Sequence, residues 1–120
     1  MGLFDIFKGG GERSEIWKEL DKIEDVPKLV EDSYQNTVVI FKHSTRCFIS
    51  KTVLKNFEKN LEEHSFTASF YFLDLLKHRD VSNRIAEVLE VTHHSPQLIV
   101  LKEGKVLRHA SHDAISIDLI

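Results

Sequence analysis

Cys47 is the only cysteine in the chain, and it stands where an apolar, β-branched run gives way to a helical spacing, within Phe41-Lys42-His43-Ser44-Thr45-Arg46-Cys47-Phe48-Ile49-Ser50. A sulfur at the mouth of a helix faces unpaired backbone N–H groups and the positive end of the macrodipole, and both favour the thiolate. An ordinary thiol is only about 3% thiolate at pH 7, and making the anion the majority form takes about 2.7 kcal/mol of differential stabilisation, much of which a helix end can supply. The thiolate is the form that attacks disulfides and ligates soft metals. Ser50, three residues on, can turn its hydroxyl toward Cys47, and His43 and Arg46 add positive potential if their side chains point inward. Taken alone, however, a free cysteine is more often a small buried hydrophobe, so a chemical role needs a second signal.

That signal is His93-His94-Ser95-Pro96, immediately before the apolar run Gln97-Leu98-Ile99-Val100-Leu101. In an α/β sheet of the order set out below, the turn entering that strand lies beside the end of the strand that leads to Cys47. An X-Pro bond in such a turn can be cis. The two loops are expected to meet.

The elements that must bring them together are legible as alternating patterns. Residues 14–20 suit a helical turn or a short edge strand, with strand the preferred reading. Asp25 can cap a helix that has Pro27 in its first turn and Val26, Leu29, Val30 and Tyr34 on one face, running to about residue 33. Residues 37–41 form a continuous β-branched and aromatic run, expected of a central strand buried on both faces. Ile49, Val53, Leu54, Phe57 and Leu61 then recur with helical period to residue 63. Residues 66–73 read as a second buried strand, and Asp80 can cap a helix carrying Val81, Ile85, Ala86, Val88 and Leu89. After strand 97–101, Glu103-Gly104-Lys105 supplies a tight turn and 106–109 returns as a hairpin, leaving 111–120 for two or three helical turns. Strand, helix, strand, helix and an antiparallel hairpin predict an α/β fold: one mixed sheet covered by helices.

Composition narrows the function classes. The 120 residues suit one domain, expected over 14–120 behind a flexible N-terminal arm at 1–13 that carries the Gly9-Gly10-Gly11 hinge. Sixteen Lys and Arg against nineteen Asp and Glu give a net charge of −3, with no overall positive field for a phosphate backbone, so no nucleic-acid partner is expected. Neither a signal peptide nor a myristoylation site is read at the N-terminus, and its short amphipathic start gives little lipid affinity, so no stable membrane association is expected. A single thiol without a disulfide partner suits a reducing cytoplasm.

Together, Val39-Ile40-Phe41-Lys42-His43-Ser44-Thr45-Arg46-Cys47 with Ile49-Ser50, then Ser95-Pro96-Gln97, then Gly104-Lys105 and His109-Ala110-Ser111-His112, resemble the thioredoxin superfamily and, more closely, the monothiol bacilliredoxins of the bacillithiol system. The likeness runs from about Trp17 to the C-terminus. It implies a thioredoxin-like fold, Cys47 as the nucleophile, and Pro96 as a cis-proline packed against the active-site loop. Ser95, Pro96 and His94 are then the expected substrate-binding residues, with Ser50, Thr45, Arg46 and His43 supporting the thiol. The implied substrates are mixed disulfides between protein cysteines and bacillithiol, a small cytoplasmic thiol that acts as co-substrate; no bound cofactor is expected, and the chain is expected to be a monomer. Family members often carry proline directly after the cysteine. Here Phe48 stands in that place, so the first helical turn lacks a residue that would pre-organise it.

A lone thiol limits the chemistry. Where a Cys-x-x-Cys pair would place a releasing cysteine, this chain has Ser50, so any adduct on Cys47 must be cleared by a second, external thiol. The competing reading is a thioredoxin-like binding module, or a metal or iron–sulfur carrier, that uses Cys47 as ligand with His43 and a histidine from 93–94. Against it, no Cys-x-x-Cys or His-x-x-x-His pair is present, and His93 and His94 point opposite ways on an extended chain. A third reading is an inert scaffold with a buried thiol. His64 and His78 read as solvated, His109 and His112 as partners of backbone groups, and Trp17 as core.

Overall fold

Apolar residues that alternate or run continuously along five short segments must find a common sheet, and they do so in the computed structural model, which describes residues 16–64 and 66–120. The expected arm at 1–13 lies outside the described residues. In chain order the elements are β1 (Trp17–Glu19), α1 (Asp25–Asp32), β2 (Thr37–His43), α2 (Phe48–Glu62), β3 (Ala68–Asp74), α3 (Arg79–Leu89), β4 (Gln97–Lys102) and β5 (Lys105–Ser111). Two 3-10 turns, His112–Ala114 and Ile117–Leu119, follow. The sheet order is β1-β3-β2-β4-β5. β1, β3 and β2 are parallel, β4 runs antiparallel to β2, and β5 pairs antiparallel with β4 at the edge of the sheet. The mixed α/β sheet expected from the sequence is thus present.

β2 is central, and every residue from Val38 to His43 is buried. Its side chains alternate between two apolar layers. Val38 and Ile40 join Val26 and Leu29 of α1 and Val81 and Ile85 of α3 on one face. Val39 and Phe41 join Leu54, Phe57 and Leu61 of α2 on the other. Trp17 belongs to that second layer: its ring meets Phe41, Phe70 and Phe72 edge-on at 5.8 to 6.0 Å, and its Nε1–H donates to Glu58 Oε2 at 2.6 Å. A three-residue edge strand is thereby fastened by one large side chain.

Several local expectations change. Asp25 does not cap α1, because Glu24 holds the cap position; the Asp25 carboxylate instead accepts from the amides of Asp21 and Lys22, 3.2 and 3.3 Å away, and ties down the preceding turn. Tyr34 falls beyond the end of α1 and is exposed, with its ring over Gly104. That glycine is required. Glu103 and Gly104 both take positive φ, 53° and 78°, in the two-residue turn between β4 and β5, and a Cβ on Gly104 would run into the Tyr34 ring. Asp80 likewise does not cap α3, which begins at Arg79 with His78 at the cap; its carboxylate accepts from the next amide, Val81 N–H, at 2.8 Å. β3 starts at Ala68 rather than Phe66, and β5 reaches Ser111.

The expected last helix is absent from the described residues. Ile115 is extended, with φ −70° and ψ 125°, and the Ser116 hydroxyl accepts Asp118 N–H at 3.1 Å, so the chain restarts as a second short turn rather than continuing the first. The segment still buries apolar surface. Ile115, Ile117, Leu119 and Ile120 pack, partly buried, on the α2-side layer. Among the described residues no helix is long and apolar enough to cross a membrane.

Candidate active site

β2 delivers the chain to the site and α2 carries it away. After His43 the backbone turns through Ser44-Thr45-Arg46, closed by Cys47 N–H to the Ser44 carbonyl at 3.1 Å. Cys47 is the N-cap of α2, in extended conformation with φ −98° and ψ 119°, and its carbonyl accepts the first helical bond, from Lys51 N–H at 3.1 Å. The helix forms without the proline that the family resemblance leads one to expect at position 48. Cys47 is half-buried, and its sulfur makes no hydrogen bond with the described residues. It therefore sits at the first-turn amides of α2, partly open to solvent.

The expected helpers separate into two groups. Thr45 and Arg46 are the exposed corner of the turn, so Arg46 lends its charge through solvent. His43 does point inward, 5% exposed, with its ring 5.4 Å from Phe72. Ser50 is fully buried, and here the sequence expectation is corrected: its hydroxyl is committed to His43 Nδ1 at 2.7 Å and to Ser44 N–H, which donates to it at 3.1 Å, rather than to the sulfur. The reason is register. Odd-numbered residues of β2 face α2, so His43 meets the first turn of the helix from below and captures Ser50. Ser50 is thus a strut between the strand end, the turn and the helix start. Replacing Ser50 with alanine leaves a buried imidazole and an amide without this partner, at a cost of about 1–3 kcal/mol. Exchange at Cys47 should slow by about three- to ten-fold through looser positioning and should not stop, as stopped-flow thiol exchange and urea unfolding will show.

The second loop arrives from β4. Antiparallel pairing sets Gln97 opposite Lys42, so Pro96 and Ser95 lie one and two residues past that pair, at the end of the sheet where His43 and Ser44 leave β2. The Ser95–Pro96 peptide bond is cis. Pro96 is buried, and its carbonyl accepts His112 N–H at 3.1 Å, which fastens the loop to the C-terminal turn. His94 is exposed, 6.5 Å ring to ring from His112. The bond to Pro96 comes from the backbone N–H of His112 and not from its imidazole, and His109 is an exposed residue of β5. Phe48 and Ile49 are 79% and 54% exposed, an apolar rim directly after the sulfur. Among the described residues no three His, Cys, Asp or Glu side chains lie together as metal ligands, so a metal reading gains no ligand set around Cys47.

Sequence reasoning overlooked the group behind the site. Lys42 is fully buried. Its Nζ donates to the Ser82 carbonyl at 3.2 Å and lies 3.3 Å from His93 Nδ1, which is itself 3.2 Å from the Ser82 hydroxyl. The available signal was the charge itself, a lysine directly after the apolar run Val38 to Phe41 of a strand buried on both faces. Burial pushes the Lys42 ammonium down to about 8. Burial, with the charges of Lys42 and Arg79 and the neighbouring His94, holds the His93 imidazole below its usual range, so it is neutral at pH 7. Because the unfolded chain binds the Lys42 proton more tightly than the folded one, the charged lysine costs stability at neutral pH, and that cost shrinks as pH rises from about 8 toward the unfolded value of 10.5. Lys42→Met is therefore expected to stabilise the protein at pH 7, by up to about 3 kcal/mol, and to do so less at pH 9.5, read by urea unfolding at the two pH values.

Comparisons with known proteins agree with this geometry. A family model described as monothiol bacilliredoxin BrxC matches residues 18–120. Among solved structures, the chain is similar to one described as a candidate oxidoreductase with a thioredoxin fold, at TM-score 0.75 and 27% identity, covering 95% of this chain and 93% of that one. It is also similar to thioredoxin from Schistosoma mansoni, at TM-score 0.63 and 22% identity over 80% of this chain and 82% of that one. Mitochondrial thioredoxin 3 from Saccharomyces cerevisiae gives TM-score 0.62 and 20% identity, over 80% and 83%. The fold is the thioredoxin fold.

Proposed function

The chain belongs to the monothiol bacilliredoxin family, and from that premise we propose that it removes bacillithiol from protein mixed disulfides through Cys47, in a reducing compartment such as the cytoplasm. The observation that carries the reading is a solitary, half-buried thiol at the N-cap of α2, with the hydroxyl of Ser50 held by His43 and Ser44 where a releasing thiol would otherwise stand.

The Cys47 thiolate attacks the bacillithiol sulfur of the mixed disulfide in line with the S–S bond. A bond forms between Cys47 Sγ and that sulfur as the old S–S bond breaks, and the protein cysteine leaves as thiolate and takes a proton from solvent. A second thiolate, from free bacillithiol or another low-molecular-weight thiol, then attacks the bacillithiol sulfur of the adduct. Cys47 departs as thiolate, and the two small thiols leave joined as a disulfide. Electrons balance at each step because every disulfide broken is replaced by one formed. The exposed Phe48 and Ile49 offer apolar surface to the protein half of the substrate, and we assign Ser95, Pro96 and His94 to its other side, because their loop enters β4 where Gln97 pairs with Lys42 near the end of β2. The chain acts as a monomer and binds no cofactor.

Intact-mass spectrometry tests this directly. Mixing the reduced protein with a bacillithiolated peptide, without any second thiol, should add one bacillithiol to Cys47 for each peptide thiol released. No adduct and no released thiol would overturn the proposal.

A further inference from the structure

Among the described residues the buried lysine behind the site has no carboxylate partner, only a carbonyl and a ring nitrogen. Burying an ammonium in this way works against stability, which directs attention to what the contact holds in place. Lys42 lies in β2, whose next residue, His43, opens the turn to Cys47. His93 lies in the loop 92–96 that brings Ser95 and Pro96 to the same end of the sheet. The loop's other ties run to α3, to its own end and to the C-terminal turn: the Ser82 hydroxyl lies 3.2 Å from the same His93 Nδ1, Thr92 C=O accepts from Gln97 Nε2 at 2.9 Å, and Pro96 C=O accepts from His112 N–H at 3.1 Å. The Lys42–His93 contact thus joins the strand that bears the nucleophile to the loop opposite it. An ammonium can only donate, so the contact requires an unprotonated Nδ1 on His93 and places the ring proton on Nε2.

We propose that Lys42 is a positioning residue for thiol exchange: through His93 Nδ1 and the Ser82 carbonyl it fixes loop 92–96 at the distance from Cys47 that a bound disulfide requires. The inference rests on the exchange function proposed above. In-line attack tolerates little misplacement, and an error of about 1 Å can cost a hundred-fold in rate. A small alkylating reagent needs only the sulfur and not the loop.

The test uses the whole chain with Lys42→Met, His93→Ala and the double variant. Two rates are measured, thiol release from a bacillithiolated peptide and Cys47 alkylation by iodoacetamide, and the His93 ring is read by nitrogen-15 NMR. In the unmodified protein His93 should be the Nε2–H tautomer. Each single variant should slow peptide exchange about ten-fold or more, the double variant should be no slower than either, and alkylation should stay within about two-fold of the unmodified protein. A proton on His93 Nδ1, unchanged exchange in Lys42→Met or in His93→Ala, additive losses in the double variant, or an equal fall in alkylation would each overturn the proposal. If the unmodified protein alkylates but does not exchange, the function is wrong, and the tautomer alone then decides whether Lys42 holds His93. Should Lys42→Met fail to fold, His93→Ala carries the same comparison from the loop side.

Discussion

Cys47→Ser is expected to cut bacillithiol release from a modified protein to less than about one-thousandth of the unmodified rate, with the fold unchanged. A serine hydroxyl in the same place meets the same first-turn amides, yet at neutral pH it is not ionised and cannot form the Cys47–bacillithiol bond. Cys47 is the only thiol in the chain, so none of its other residues can substitute. Its sulfur makes no hydrogen bond with the described residues, and thermal unfolding should therefore barely move. Loss of release together with an unaltered melt is the expected pair of results, read by intact mass and circular dichroism. Full activity in the serine variant would exclude every step drawn for this site.

Phe41→Ala should act in the opposite sense, on stability first. Phe41 is fully buried two residues before the turn, with Trp17 at 6.0 Å and Phe57 at 5.9 Å. Removing such a ring leaves a cavity that a strand paired on both edges cannot collapse to fill, and the cost is about 3–5 kcal/mol. For a chain of this length that lowers the melting temperature by more than about 12 °C. The adjacent residue gives the contrast, because Lys42→Met on the other face of the same strand should raise stability at pH 7. A differential scanning measurement of both variants at pH 7 checks the two signs together; a shared sign would mean that the two faces of β2 are not the separate layers described here.

The order of strands and helices, the central place of β2, the position of Cys47 at the head of a helix and the loop ending in Pro96 were all legible in the sequence. Each rests on local information: a period of two or near 3.6 in the apolar residues, a proline, a single thiol. The family resemblance rests on the same short stretches. What stayed hidden depends on groups that meet only after the sheet has formed. Ser50 binds His43 and not Cys47 because strand alternation turns His43 toward α2, and spacing along the chain does not reveal which partner a hydroxyl finds. The caps at Asp25 and Asp80 and the closing helix yielded for a related reason, since a carboxylate or serine takes whichever amide the turn presents. Lys42 is the clearest case. Its charge is plain in the sequence, but its meaning requires β2, α3 and loop 92–96 at once, and only tertiary packing decides that a lysine lies inside and that a neutral histidine is what it meets.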